Sequence, residues 1–329
     1  MSTADGGATQ AGGGILAPLT NVIARRIADE RSGSAPRRDP DLVRQFVRPV
    51  ASVLRYFSPE IRGFDNIPVS GPVLIVGNHS CLFYMPDTWV VALALTARRG
   101  VDTPAYALVY DLLLGTPGIG AVLRRLGGVP ASGPDAERAL AEGAALLVYP
   151  GGDKEACRPW TERNHIVFSG RKGFIRLALR CGVPVVPVVS HGSHQAIVIV
   201  NRGDKLARAL GLSKLRIGVF PIFLGPTGFT CILAPPLPMP SAVTVEFMKP
   251  IDWSELGPDA ADDEAVVDAC YKEITAAMQS TLDRLAAERP HPVLDGMLHL
   301  ARGGRALSSL VRSGPTTAAS AAGRAASSR

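Results

Sequence analysis

The chain has 329 residues, enough for one large α/β domain with a sizeable core. Hydrophobic residues make up 47% and charged residues only 19%, which excludes a chain disordered throughout. The apolar runs are short or broken by Gly and Pro, which excludes a polytopic membrane protein, and 6% aromatic residues without a basic-aromatic stripe give nucleic acid no platform. The net charge of +6 leaves anionic lipid and phosphorylated small molecules as partners.

Five cysteines, Cys81, Cys157, Cys181, Cys231 and Cys270, are odd in number and form no C-x-x-C, so neither a disulfide framework nor a zinc site is expected. No basic stretch followed by an apolar run marks the N-terminus as secretory. The expected location is the cytosol or the cytoplasmic face of a membrane, peripheral or monotopic.

In chain order, residues 1–14 are Gly-, Ala- and Thr-rich, and residues 313–329 are Ser, Thr, Ala, Gly and Arg with one Pro; both are expected to be disordered, the second as a basic tail. Residues 15–62 read as N-terminal helices, at 15–28 and 41–57. In the second, Leu42, Phe46, Val50, Val53, Leu54 and Phe57 recur at helical spacing. That stripe suits packing on a domain, and with Arg25, Arg26, Arg44 and Arg48 beside it equally suits a membrane interface.

From Pro72 the pattern changes. Short β-branched runs at 73–77, 105–109, 145–149 and 183–189 alternate with helix-length segments at 86–98, 112–126, 135–142 and 170–181, and a strand at 243–248 precedes a long helix at 262–289. This is an α/β fold, a mostly parallel, mixed sheet flanked by helices, in one domain over 63–290. Residues 217–245 carry no charge, but six prolines break any spanning helix, and an irregular apolar flap with Phe220, Ile222, Phe223, Leu224 and Phe229 dipping into one leaflet is expected. A buried core loop is the competing reading. Residues 291–312 resemble an amphipathic interfacial segment.

Val73 to Ser80 form an apolar strand that delivers His79 at its carboxyl end, where α/β sheets place their sites. An imidazole there can take a proton from a hydroxyl if a carboxylate orients it, and Asp87 follows. On one continuous helix the two would lie roughly 12 Å apart, so a folded-back loop is required, with Pro86 starting the helix. Asp87 also suits a helix N-terminus on dipole grounds alone, and His79 suits a loop hydrogen bond. No G-x-S-x-G, Walker loop or G-x-G-x-x-G follows a strand.

A second strand runs into Tyr149-Pro150-Gly151-Gly152-Asp153-Lys154-Glu155. Its glycines allow backbone amides to approach an anion or serve as simple turn punctuation. Arg158, Arg163, Arg171 and Lys172 follow, the last two at a helix start that favours phosphate. His191 and His194 follow the strand at 183–189; without an acidic or cysteine partner they read as loop polarity, and no metal site is expected.

Five motifs occur in order: Asn78-His79-Ser80 with Asp87; Arg124-Arg125-Leu126-Gly127-Gly128-Val129-Pro130; Tyr149-Pro150-Gly151-Gly152 with Glu155; Arg171-Lys172-Gly173-Phe174; and Gly182-Val183-Pro184-Val185-Val186-Pro187. Over about residues 63–253 the chain resembles the glycerolipid acyltransferase superfamily, the group of the lysophosphatidic acid acyltransferases. The resemblance implies acyl transfer from acyl-CoA, or acyl carrier protein, to a lipid hydroxyl at a membrane surface, without an acyl-enzyme and without a cofactor. His79 would be the general base and Asp87 its orienter. Asn78, Ser80, Gly151, Gly152 and Glu155 would bind substrate, with Arg124, Arg125, Arg171 and Lys172 as candidates for phosphates.

Two departures accompany it. The commonest family spacing places four residues between histidine and aspartate, and this chain has seven. The usual Phe-Pro-Glu-Gly-Thr-Arg is replaced by Tyr149-Pro-Gly-Gly-Asp-Lys154, which looks closer to the diacylglycerol acyltransferase-like branch and leaves a neutral glycerolipid or another lipid alcohol open as acceptor. A non-catalytic lipid-binding or lipid-transfer protein, or an acyl-thioester hydrolase, would be the alternative. All five charged residues of 296–329 are arginines, so residues 1–295 carry only +1 of the net +6, and the tail reads as a tether for anionic lipid.

Overall fold

In the computed structural model, residues 38–80, 84–212, 218–225 and 228–303 are described. The expected disordered ends, the helix at 15–28, Cys81 and the end of the 291–312 segment lie outside them. Helix α1 (Pro40–Leu54) opens on Asp39, whose carboxylate accepts from the amides of Asp41 and Leu42, both at 3.0 Å. Then come β1 (Glu60–Arg62), β2 (Val73–Gly77), α2 (Pro86–Arg99), β3 (Ala105–Val109), α3 (Asp111–Leu114), α4 (Ile119–Arg125) and β4 (Gly128–Pro130). They are followed by α5 (Gly133–Ala141), β5 (Ala145–Val148), α6 (Gly152–Ala156), α7 (Gly173–Cys181) and β6 (Val185–His191). The rest are β7 (Val198–Asn201), α8 (Asp204–Ala209), β8 (Ile222–Gly225), β9 (Gly228–Cys231), β10 (Thr244–Phe247), α9 (Glu264–Glu288) and α10 (Pro292–Ala301).

The main sheet has the order β1-β10-β6-β2-β5-β3-β4. Strands β6, β2, β5, β3 and β4 run parallel, while β10 is antiparallel to β6 and carries β1 parallel to itself. Every residue of β2 is buried, and its side chains alternate between two cores. Leu74 and Val76 pack with Ala139, Leu140, Ile175, Ala178, Ile274 and Met278 under α5, α7 and α9. Val73 and Ile75 pack with Leu54, Val90, Val91 and Leu95 under α1 and α2. This two-sided burial explains the unbroken apolar runs of the central strands, and the expected mixed sheet flanked by helices is what forms.

Three local expectations change. The helix expected at 112–126 is two, because Pro117 removes an amide donor and Gly118 takes φ +77 between α3 and α4. The strand expected at 183–189 begins only at Val185, after the left-handed Gly182 that caps α7, and runs to His191. Residues 217–245 are less irregular than their prolines suggest: β8 and β9 form an antiparallel hairpin that pairs with β7 in a second sheet. Phe223 points inward, 1% exposed, against Ile197 and Ile199, whereas Leu224 and Phe229 remain exposed.

Candidate active site

Strand register sets the site. Val76 pairs with Val148 of β5 and Pro187 of β6, so the three strands end level and deliver Asn78-His79-Ser80, Tyr149-Pro150-Gly151 and Ser190-His191 to one end of the sheet. Asn78 clamps two of them: its Nδ2 donates to the Ser190 carbonyl at 3.0 Å and its Oδ1 accepts from the Ser190 amide at 2.7 Å. The Ser80 and Ser190 hydroxyls are 2.7 Å apart.

His79 and Asp87 come together on either side of residues 81–83, which lie outside the described residues. Helix α2 begins at Pro86, preceded by Tyr84 and Met85 with φ of 64 and 38, two successive left-handed residues that carry side chains. Such strain persists where the surroundings over-determine it. The turn places Asp87 Oδ2 at 3.9 Å from His79 Nδ1, despite seven intervening residues. That is electrostatic contact, about 1 Å too long for a hydrogen bond. Asp87 is 1% exposed, and among the described residues neither of its oxygens nor His79 Nδ1 has a hydrogen-bond partner. With Nδ1 turned to the carboxylate, Nε2 is the nitrogen left for a substrate.

Tyr149 supports the imidazole from the side, its ring stacked on that of His79 with centroids 4.6 Å apart. Gly77 makes room, since a Cβ there would lie 2.5 Å from the Tyr149 ring. Burial, with the Asp87 charge adding to it, holds the Tyr149 phenol protonated well above its usual range.

Glu155 of α6 is wholly buried and accepts from the His79 amide at 2.9 Å and the Val167 amide at 3.0 Å. Burial raises its pKa, opposed by nearby Arg158 and by the two amides. Arg158, also buried, donates to the carbonyls of His79 at 2.5 Å, Glu155 at 2.9 Å, and Glu162 and Arg163 at 3.1 Å each. Gly151 is forced by this arrangement: a Cβ there would lie 2.3 Å from the Glu155 carboxylate. Arg171 reaches the same turn, bonding the carbonyls of Pro150 and Gly151 and pairing with Asp153 at 3.3 Å across Gly152.

The structure thus brings together His79, Asp87, Asn78, Ser80, Gly151, Gly152, Glu155 and Arg171. It does not bring the other candidates to them. Arg124 and Arg125 precede β4, at the end where the strands begin, and Arg125 pairs with Asp39 at 2.6 Å. Lys172 is engaged by Glu264 and Asp268 of α9. Glu155, Asn78 and Ser80 are turned into the protein's own backbone and side chains. Their burial beneath the histidine depends on strand register, which spacing alone does not reveal.

Sequence reading also passed over Tyr149 as a support, Arg158 as a buried donor, and the order at the end of β6. His194 Nδ1 lies 2.6 Å from the Ser80 carbonyl, and His191 Nε2 lies 3.2 Å from Gln195 Nε2. Desolvation first, then nearby arginines, lowers His191 to about 4 and His194 to about 3, so both are neutral at pH 7. No metal-binding group of three or more His, Cys, Asp or Glu occurs among the described residues.

Comparison with known proteins matches residues 58–191 to the family described as Acyltransferase. Uncharacterized protein Rv0502 of Mycobacterium tuberculosis is 29% identical over 278 residues, 84% of this chain and 75% of that one. Phytyl ester synthase 2, chloroplastic, of Arabidopsis thaliana is 33% identical over 132 residues, 39% of this chain and 18% of that one. The Gallus gallus DGAT1/2-independent enzyme synthesizing storage lipids is 28% identical over 188 residues, 57% and 54% of the two chains. The histidine, the aspartate and the Pro-Gly-Gly turn, gathered at one end of a mixed sheet, all lie within residues 58–191, the region that matches the Acyltransferase family.

Proposed function

We propose that this acyltransferase moves a fatty acyl group from acyl-CoA, or acyl carrier protein, to the hydroxyl of a neutral glycerolipid or related lipid alcohol. The observation that carries this reading is the Asp87 carboxylate, buried, without a hydrogen-bond partner among the described residues, and facing His79 Nδ1. A neutral imidazole with its Nδ1 proton directed at Asp87 presents Nε2 as a base. Nε2 takes the acceptor's hydroxyl proton as the oxygen attacks the thioester carbonyl, and Asp87 stabilises the imidazolium that forms. Collapse of the tetrahedral intermediate breaks the carbon–sulfur bond, and the departing thiolate receives the proton. The products are one ester and one free thiol.

A neutral acceptor is favoured because Arg171 and Lys172, two of the cations that the sequence offers for a phosphate, are engaged by Asp153, Glu264 and Asp268. The names of two relatives, a storage-lipid-synthesizing enzyme and a phytyl ester synthase, support the same reading. The site end would rest on a membrane from the cytoplasmic side. Leu224, Phe229, Leu233 and Leu237 are 43%, 72%, 84% and 79% exposed, and Tyr84 and Tyr56 bond the carbonyls of Pro236 and Pro238, which tie the 232–240 segment to that end. Helix α10, beside Pro240, adds exposed Leu294, Met297 and Leu298. Among the described residues no helix is long and apolar enough to cross a membrane.

The test is incubation of the purified protein with radiolabelled acyl-CoA and micellar diacylglycerol, a long-chain alcohol or lysophosphatidate, alongside His79→Ala. Labelled ester on the neutral acceptors, lost in the variant, is expected. Equal ester from the variant would overturn the mechanism, free fatty acid without acceptor would indicate a hydrolase, and preference for lysophosphatidate would overturn the acceptor class.

A further inference from the structure

We propose that Glu155 and Arg158 are positioning residues for His79: the buried carboxylate and guanidinium grip the peptide groups on its two sides and so fix the imidazole for proton transfer. The proposal rests on the reading of His79 as the base. It assigns Glu155 a role distinct from contact with the acceptor.

Two opposite charges three residues apart bracket one residue 76 positions earlier in the chain. The Glu155 carboxylate takes the amide before the His79 side chain, and the Arg158 guanidinium takes the carbonyl after it. The same carboxylate holds the Val167 amide, while Arg158 also bonds the carbonyls of Glu155, Glu162 and Arg163, so the pair is itself anchored to the segment that follows α6. Neither side chain has surface to offer a ligand: Glu155 is 0% exposed and Arg158 1%. With both flanking peptide planes fixed, the His79 backbone torsions are set, and the Tyr149 ring fixes the rest. A rotation of about 10° at that backbone carries Nε2 by about 1 Å, a displacement on the scale that costs about a hundredfold in rate.

The geometry also explains the sequence. The Glu155 carboxylate reaches the His79 amide only by passing through the space a side chain at Gly151 would fill. The glycine is therefore required from inside the protein, whatever the turn presents to a substrate outside.

The experiment measures kcat and KM for donor and acceptor in Glu155→Gln, Arg158→Lys and each combined with His79→Ala. Glu155→Gln keeps the size and one acceptor oxygen but turns an amide group toward one of the two N–H donors. Arg158→Lys keeps the charge and loses the fork. Expected are falls in kcat of about ten- to a hundredfold with KM values within about twofold, and no further loss when either is added to His79→Ala. A rise in KM at unchanged kcat would assign Glu155 to the acceptor and overturn the proposal, as would an additive loss in the His79→Ala background.

Amide hydrogen exchange in the wild-type protein decides the matter even if a variant does not fold. The His79 and Val167 amides should be protected to the same extent, and His79 exchanging like an exposed loop would overturn the grip. If His79→Ala itself leaves acyl transfer intact, the proposed function fails; if it abolishes transfer while Glu155→Gln does not, only the positioning role fails.

Discussion

Two neighbouring strands end in histidine at the same edge of the sheet, and the two ends are built differently. At the end of β2, His79 faces a buried carboxylate and stacks on a tyrosine. At the end of β6, His191 and His194 face serine, glutamine and backbone, with Arg158, Arg163 and Arg289 near enough to oppose a proton on them. His191 and His194 are buried, while His79 keeps 13% of its side chain exposed. In the proposed mechanism the difference lies in the partner: the carboxylate opposite His79 Nδ1 would stabilise the imidazolium that proton transfer creates, whereas the Ser80 carbonyl at His194 Nδ1 and the Gln195 amide at His191 Nε2, with guanidinium groups near, would not.

The largest effect that could break this contrast is at His79 itself. His79→Ala should lower kcat/KM by about 10²- to 10⁴-fold in the labelled acyl-CoA assay, the range for removal of a general base. His191→Gln should leave the same constant within about threefold, because the exchanged ring meets no carboxylate. A collapse of activity at His191 would put the base on β6.

Asp87→Asn sharpens the comparison by keeping the shape and removing the charge. An amide can donate to Nδ1, which selects the tautomer with the proton on Nε2, the wrong nitrogen for a base. A loss of about a hundredfold in kcat is expected, with KM little changed. Retained activity would mean that the 3.9 Å contact never closes.

Acid titration tests the other strand end. The folded-state values of His191 and His194, about 4 and about 3, lie below the ordinary 6.5. The unfolded chain therefore binds protons first as pH falls, and the stability these neutral rings contribute is full above pH 6.5 and declines as pH drops toward those folded values. Each should weaken folding by about 1.4 kcal/mol per pH unit within that window. Urea midpoints measured from pH 7 to 5 should fall, and fall less steeply for His191→Gln. A flat profile in the wild type would show that both rings take up protons in the native state as readily as in the unfolded chain.

Much of this arrangement is legible in the amino-acid order, and the limits have physical causes. Strands β2 and β3 coincide with their β-branched runs because two-sided burial writes an unbroken apolar signal, and Pro86 marks the start of α2 because its missing amide is harmless there. The short strands β1 and β4 carry no such signal, since three residues at a sheet edge show no period. The hairpin β8–β9 hides behind prolines that lie outside its two strands. At the site, His79 and Asp87 announce themselves by position. Glu155 does not, because a carboxylate beside a glycine turn looks the same whether it faces a ligand or the backbone of a strand 76 residues earlier. Charge density misled in the same way: Arg124, Arg125, Arg171 and Lys172 read alike, and only pairing across the fold separates them.

The smallest expected effect tests that separation. Arg125 lies where the strands begin and donates to Asp39, the residue that caps α1, across the protein surface. Exposed pairs of this kind hold elements together weakly and are screened by salt. Arg125→Ala should therefore leave kcat and both KM values within about twofold, for neutral and phosphorylated acceptors alike. Arg171→Ala, at the glycine turn, should lower kcat with KM little changed, since its guanidinium holds the Pro150 and Gly151 carbonyls beside the Tyr149 ring that supports His79. If Arg125→Ala raised KM for a phosphorylated substrate while Arg171→Ala left kcat unchanged, the substrate would extend along the sheet to the end where the strands begin, and the division between the two ends of the sheet would have to be redrawn.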